Sequence, residues 1–318
     1  MKKFNMNLWR YLSLSLAMMV MIAFTSCDND DDEPMPEQAN VVEVLGGDIN
    51  FNTLTTAVIA AGLDDDLSGA GPFTVFAPTN DAFGDFLSDN SLTSDELIGS
   101  ADLSNTLRYH VVSGNIASGD VEAGAVTSLS GDKFYISIDP DGRVWINGNT
   151  MVTAVDKMAS NGVIHTLDYV ITAPTMSIAE IAVENSTSST PEFTQLVAAL
   201  TRAGLVDAVS GDSDDDLTVF APTDAAFEDL YTALGVSGVD EIDVDLLTDV
   251  LMYHVVPARA FSQDLRNEAS LPTLLEGSNL TVDLPGLMIN ESSLVPPMLN
   301  IHATNGVIHV INKVIIPE

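Results

Sequence analysis

A single cysteine in 318 residues excludes a disulfide framework within the chain. Basic residues are scarce: Lys and Arg total 11 against 46 Asp and Glu, for a formal net charge of −35. Lys2, Lys3 and Arg10 precede the cysteine, Cys27, and the remaining Lys and Arg are scattered from Arg108 to Lys313 without forming a patch. Phosphate backbones and anionic headgroups would be repelled, which argues against nucleic acid and direct headgroup binding. The histidines (His110, His165, His254, His302, His309) never stand three to five residues apart and have no cysteine beside them, so neither a zinc site nor another metal or cofactor site is expected. Gly235-Val-Ser-Gly238 is not the Gly-x-Ser-x-Gly elbow, and carboxylates are too numerous for any pair to mark catalysis. The acidic loops Asp64–Asp66 and Asp214–Asp216 lack EF-hand spacing and read as solvated. No enzyme is predicted.

What the chain does have begins with its first residues. A basic start leads into an apolar stretch from Tyr11 to Phe24, short for a membrane span and suited to a secretory signal. Phe24-Thr25-Ser26-Cys27 resembles the lipobox of bacterial lipoproteins, with Phe24 where Leu is commoner. Residues 1–26 are therefore read as a signal peptide and Cys27 as the site of lipid attachment. Residues 27–40, with Asp31, Asp32, Glu33, Pro34 and Pro36, cannot bury apolar surface and read as an acidic tether. An acidic run after the lipid cysteine also resembles the signal that carries some lipoproteins to the outer face. The expected place is the cell envelope, as an outer-membrane lipoprotein that is surface-exposed or periplasm-facing.

The rest of the chain is written twice. Thr74-Val-Phe-Ala-Pro-Thr79 recurs as Thr218-Val-Phe-Ala-Pro-Thr223, Tyr109-His-Val-Val112 as Tyr253-His-Val-Val256, and Asn161-Gly-Val-Ile-His165 as Asn305-Gly-Val-Ile-His309. The common spacing of these blocks defines an internal duplication. Domain 1 is placed at 41–173 and domain 2 at 174–318, with almost no linker. Phe193, Leu196, Val197 and Leu200 form one face of a helix starting after Thr190 and stopping at Gly204. Thr-Val-Phe-Ala reads as a strand, and Thr79 or Thr223 as the cap of the helix that follows. Pro140-Asp-Gly142 and Leu284-Pro-Gly286 mark hairpin bends. Helices come early and strands late in each copy, which favours α+β.

These blocks together resemble the fasciclin domain, over nearly everything from Val41 onward. The resemblance implies two tandem fasciclin-like domains, each a β-sandwich or wedge with several packed helices. It also implies an adhesion or matrix-interaction role, with an unknown protein or glycan at the cell surface or matrix as partner and a lipid anchor as the tie to the membrane. Tyr109-His110 and Tyr253-His254 match a segment that animal members use in integrin-type adhesion, which implies a binding surface and not its ligand. Copy two has Asn312 where the family pattern, and Asp168 in copy one, has a carboxylate. The repeated histidines otherwise read as hydrogen-bonded structural groups. A pocket lined by Trp145 or Tyr135 would instead favour a glycan or small-molecule binder, and copy two lacks both aromatics. Both copies are acidic, which gives them no electrostatic reason to associate.

Overall fold

The computed structural model describes residues 38–211 and 215–317, so Cys27, the signal and most of the tether lie outside the described residues. Two strands built from the Thr-Val-Phe-Ala-Pro blocks, Phe73–Pro78 and Leu217–Pro222, anchor the two repeats. Each runs parallel to an Asn-Gly-block strand, Gly162–Leu167 or Gly306–Ile311, in the same register: Phe73 faces Gly162 and Leu217 faces Gly306. Only glycine fits at those two ends. A Cβ on Gly162 would lie 2.1 Å from the Phe73 carbonyl oxygen, and one on Gly306 2.2 Å from that of Leu217. The preceding asparagines tie down each repeat's N-terminal helix. Asn161 accepts from the Val41 amide and donates to the carbonyls of Leu67 and Gly69; Asn305 accepts from Ile178 and donates to Val209.

Alternation along the anchor strands sorts the core into two layers. Val75 and Ala77 face a helical layer with Phe51, Leu54, Phe83 and Leu103, while Phe76 faces the hairpin side with Tyr109, Phe134 and Ile146. Repeat 2 repeats the division, with Val219 and Ala221 against Leu196, Phe227 and Leu247, and Phe220 against Tyr253, Leu280 and Ile289. Thr79 and Thr223 cap helices Asn80–Asp89 and Asp224–Leu234 by accepting from Ala82 and Ala226. The protein is thus an α+β fold used twice.

The sheets differ. Repeat 1 has one seven-stranded sheet in the order Val111–Ser113, Phe73–Pro78, Gly162–Leu167, Thr150–Ala159, Val144–Ile146, Lys133–Ile138, Gly124–Thr127. Its long strand Thr150–Ala159 bends through irregularities between Val152 and Lys157. In repeat 2 the corresponding stretch is broken into Ser292–Ser293 and Ile301–Ala303, and the strands divide into two four-stranded sheets. Pro296 and Pro297 lie in the break, and a residue without an N–H cannot continue a ladder.

The helix expected from Thr190 starts later, at Thr194, and runs to Ala203. Phe193 adopts a left-handed backbone (φ 66°) that turns its ring into the core, and the cap comes from a different helix. The Asp224 carboxylate accepts from the Thr194 hydroxyl (2.6 Å) and the Gln195 amide (2.9 Å). Gly204, with φ 68°, ends the helix as the sequence indicates.

Candidate functional site

The Tyr-His pairs close the last turn of helices Leu103–Tyr109 and Val244–Tyr253. His110 and His254 are buried, and both ring nitrogens are engaged. Nδ1 meets the carbonyl four residues back (Thr106, Val250), and Nε2 accepts from the amide of Ile171 or Ile315. Burial holds both imidazoles neutral, lowering each pKa to about 4. Tyr109 and Tyr253 donate to the carbonyls of Lys133 and Asn279 and accept from the side chains of Asn147 and Asn290. All four side chains of the expected adhesion segment therefore face inward in this structure, as a matched pair of structural corners. Among the described residues, no group of three or more His, Cys, Asp and Glu is arranged to hold a metal ion, and no helix is long and apolar enough to cross a membrane.

The two acidic repeats do associate, contrary to the expectation from their charge, and the reason is local. Arg259 of repeat 2, its side chain 3% exposed, lies 4.2 Å over the Tyr135 ring of repeat 1. Its Nε donates to Asp216 (2.8 Å), and its other nitrogens donate to the carbonyls of Ala303, Thr304 and Gly306. The Tyr135 hydroxyl also donates to Asp216. The buried Arg259 guanidinium thus pairs with an acid at the joint, and Asp216 is a joint residue where a solvated loop was expected. Asp214 lies outside the described residues.

Around that centre, Gln263 and Asn300 both donate to the Gly148 carbonyl (2.8 Å each), Asn149 donates to the Asn300 carbonyl, and Ser137 donates to Asp264. Phe261 and His302 stack edgewise on each other and around Tyr135. Burial, then the neighbouring Arg259, lowers the His302 pKa to about 3, and its Nε2 is buried without a partner. Tyr135 is therefore taken up by the joint. Trp145 donates its indole N–H to Asp139 within the hairpin. From the sequence, Arg259, Gly148 and Asn300 have no role, Asp216 belongs to a solvated loop and His302 is no metal ligand, with neither placed at a joint. The available signal was where the copies disagree: Arg259 matches Asn115, Phe261 matches Ala117, and His302 matches Met158.

Repeat 2 carries an open polar cleft of about 680 Å³ over Tyr253, lined by Asn279, Thr281, Asn290, Glu291 and Lys313. The matching bonds locate its counterpart on repeat 1. Thr281 N–H donates to Asn290 as Tyr135 N–H donates to Asn147, and each asparagine then reaches its tyrosine. On repeat 1 that region includes Tyr135 and the turn Asn147–Asn149, which repeat 2 covers. The same face is thus a seat for protein in one copy and open in the other.

Comparison with known proteins agrees with this architecture. A family model described as the Fasciclin domain matches residues 49–173 and 191–317. The chain is 32% identical over 288 residues to the transforming growth factor-beta-induced protein ig-h3 of Oryctolagus cuniculus, a match spanning 88% of this chain and 40% of that protein. It is 47% identical over 135 residues to protein sll1483 of Synechocystis, covering 42% of this chain and 73% of that one. Periostin of Homo sapiens is 29% identical over 81% of this chain and 30% of its own length. Among solved structures, a FAS1 domain pair from the insect cell adhesion molecule Fasciclin I matches with a TM-score of 0.39 and 16% identity, over 82% of this chain and 95% of that chain. The protein belongs to the fasciclin-domain family, with two such domains in tandem.

Proposed function

We propose that this is a non-catalytic adhesion or interaction protein of the cell envelope, held by a lipid on Cys27 and presenting two fasciclin domains as one unit. The observation that carries the binding role is the open cleft over Tyr253, because its counterpart on repeat 1 already serves as a protein seat. The fasciclin-domain family supports the same reading. The repeated histidines spend both nitrogens on structural bonds and have no free base to offer a nucleophile. The partner is a protein or glycan of the cell surface or matrix, and the place is the outer membrane.

Thr281→Arg projects a long cation into the cleft without touching the bonds of Asn290. Adhesion of the purified protein to an envelope glycan or matrix layer should fall at least tenfold in this variant, while its melting temperature stays put. Unchanged adhesion would remove the cleft from the function. Cys27→Ser should abolish lipid labelling and release the protein from membranes; retention in the membrane fraction would refute the anchor.

A further inference from the structure

The joint between the repeats is heterologous. A face of repeat 2 (Phe261, Gln263, Asn300), called the donor face for the two amides that donate to Gly148, sits on a face of repeat 1 (Tyr135, Gly148, Asn149), called the acceptor face although Asn149 donates back to the Asn300 carbonyl. Because both repeats share one fold, each also carries the other half turned outward. Repeat 1 has an outward donor face, and the cleft of repeat 2 is an outward acceptor face. A contact of this kind adds copies end on end, into rings or filaments, unless something prevents it.

Internal bonds fix which residues correspond. Thr74 and Thr218 each donate to a carbonyl (Gly114, Ala258) and accept from the amide two residues on (Ile116, Ala260). Ser118 and Ser262 amides donate to Asp156 and Asn300, whose own amides meet His165 and His309. Ala117 therefore stands where repeat 2 has Phe261, Gly119 where it has Gln263, and Asp156 where it has Asn300. On the acceptor side the strand pairs Ile146–Thr150 and Ile289–Ser292 correspond, so the turn Asn147-Gly148-Asn149 is shortened to Asn290-Glu291. Gly148 is not replaceable in the joint: a Cβ there would meet the Phe261 ring at 2.6 Å and Asn300 at 2.8 Å.

We propose that these changes close both outward faces to a second copy of this chain, so that copies do not add end on end. The cleft then stays free for the surface protein or glycan of the function proposed above, a consequence that rests on that reading. Each donor group that reaches the acceptor turn is lost from repeat 1. The amide that would bond the turn is exchanged for the Asp156 carboxylate, and the turn itself carries Glu291 in place of glycine. A second copy would bring those two carboxylates together without the hydrogen bonds that hold the joint.

Restoring each face tests this on the full-length chain carrying Cys27→Ser, a parent with no lipid to drive association. One variant carries Ala117→Phe, Gly119→Gln and Asp156→Asn; a second carries Thr281→Tyr with Glu291 replaced by Gly-Asn. By sedimentation velocity, the parent chain and each variant should be monomeric at all concentrations. The two variants mixed should give a 1:1 pair, and a chain with both sets should grow with concentration. Folded variants, checked by circular dichroism, that stay monomeric when mixed would overturn the proposal. The parent arm needs no face variant to fold: concentration-dependent assembly that Thr281→Arg abolishes would overturn it as well.

Discussion

The two repeats agree where polar groups are buried and disagree where they meet the outside. Thr74 and Thr218, His110 and His254, and Asn161 and Asn305 make the same bonds to the same backbone positions, and Asn147 and Asn290 each donate to the matching tyrosine hydroxyl. The surface pairs Asn115/Arg259, Ala117/Phe261 and Tyr135/Thr281 have nothing in common. A buried donor or acceptor without its partner costs the full desolvation penalty, so the interior bonds could not drift. The surfaces could, and one complementary pair became the joint.

The strongest way to break the shared interior is at the close approach of the anchor strands. Gly306→Ala, or Gly162→Ala in the other copy, places a methyl inside the carbonyl of the paired strand, and backbone cannot yield as a side chain does. Each should cost about 3 kcal/mol or more by denaturant unfolding. Equal and large losses in both repeats would confirm a common frame; tolerance in either would show that its strands can separate.

At the joint the copies should part. Arg259→Ala takes the donors from three carbonyls, leaves Asp216 with the Tyr135 hydroxyl but no cation, and removes the cation from the Tyr135 ring. A loss of about 3 kcal/mol is expected, with solution scattering showing the repeats separating. Asn115→Ala, at the matching place in repeat 1, should change stability by no more than about 0.5 kcal/mol.

Acid should act on both repeats through their histidine corners. The folded pKa values of His110 and His254 are depressed to about 4, from about 6.5 in the unfolded chain. The unfolded chain therefore binds protons first, and stability is whole above about pH 6.5 and lost as pH falls toward about 4. The slope should reach about 1.4 kcal/mol per pH unit for each such group. Repeat 2 adds His309, whose burial lowers its pKa to about 4, and His302; His302→Met, which installs the repeat 1 residue, should flatten the slope measured by denaturant midpoints from pH 7 to 4. An unchanged slope would mean that His302 does not stay neutral in the joint.

Much of this was legible in the sequence, and the divisions are physical. The strand blocks, threonine caps, proline-glycine bends and Gly204 stop are set by near neighbours in the chain, and they appear as read. The start of helix Thr194–Ala203 was misplaced because its cap, Asp224, belongs to the next helix. The joint was invisible to charge counting, since net charge averages away a single buried arginine such as Arg259. Hydrophobic patterning missed it too, because Arg259, Gln263 and Asn300 look like ordinary surface residues until Gly148 is brought against them.

The smallest effect is expected where the family pattern itself breaks. Asn312 stands in repeat 2 where repeat 1 has Asp168, and the sequence alone put any role of that carboxylate in doubt. The structure shows the role. Asp168 Oδ1 accepts from the Met151 amide at 2.7 Å, and Asn312 Oδ1 accepts from the Ser293 amide at 2.9 Å. In each case the bond pins the closing strand to the strand beside it, and what it needs is an acceptor oxygen. An amide supplies that oxygen as well as a carboxylate does, while a charge adds strength only to the extent that water leaves it unscreened. Asp168→Asn should therefore shift stability by no more than about 0.5 kcal/mol, because the acceptor is kept at an exposed site. Asp168→Ala removes the acceptor and should cost about 1 kcal/mol. Comparing the two by thermal unfolding separates the bond from the charge, and a loss as large for asparagine as for alanine would show that repeat 1 needs its carboxylate after all.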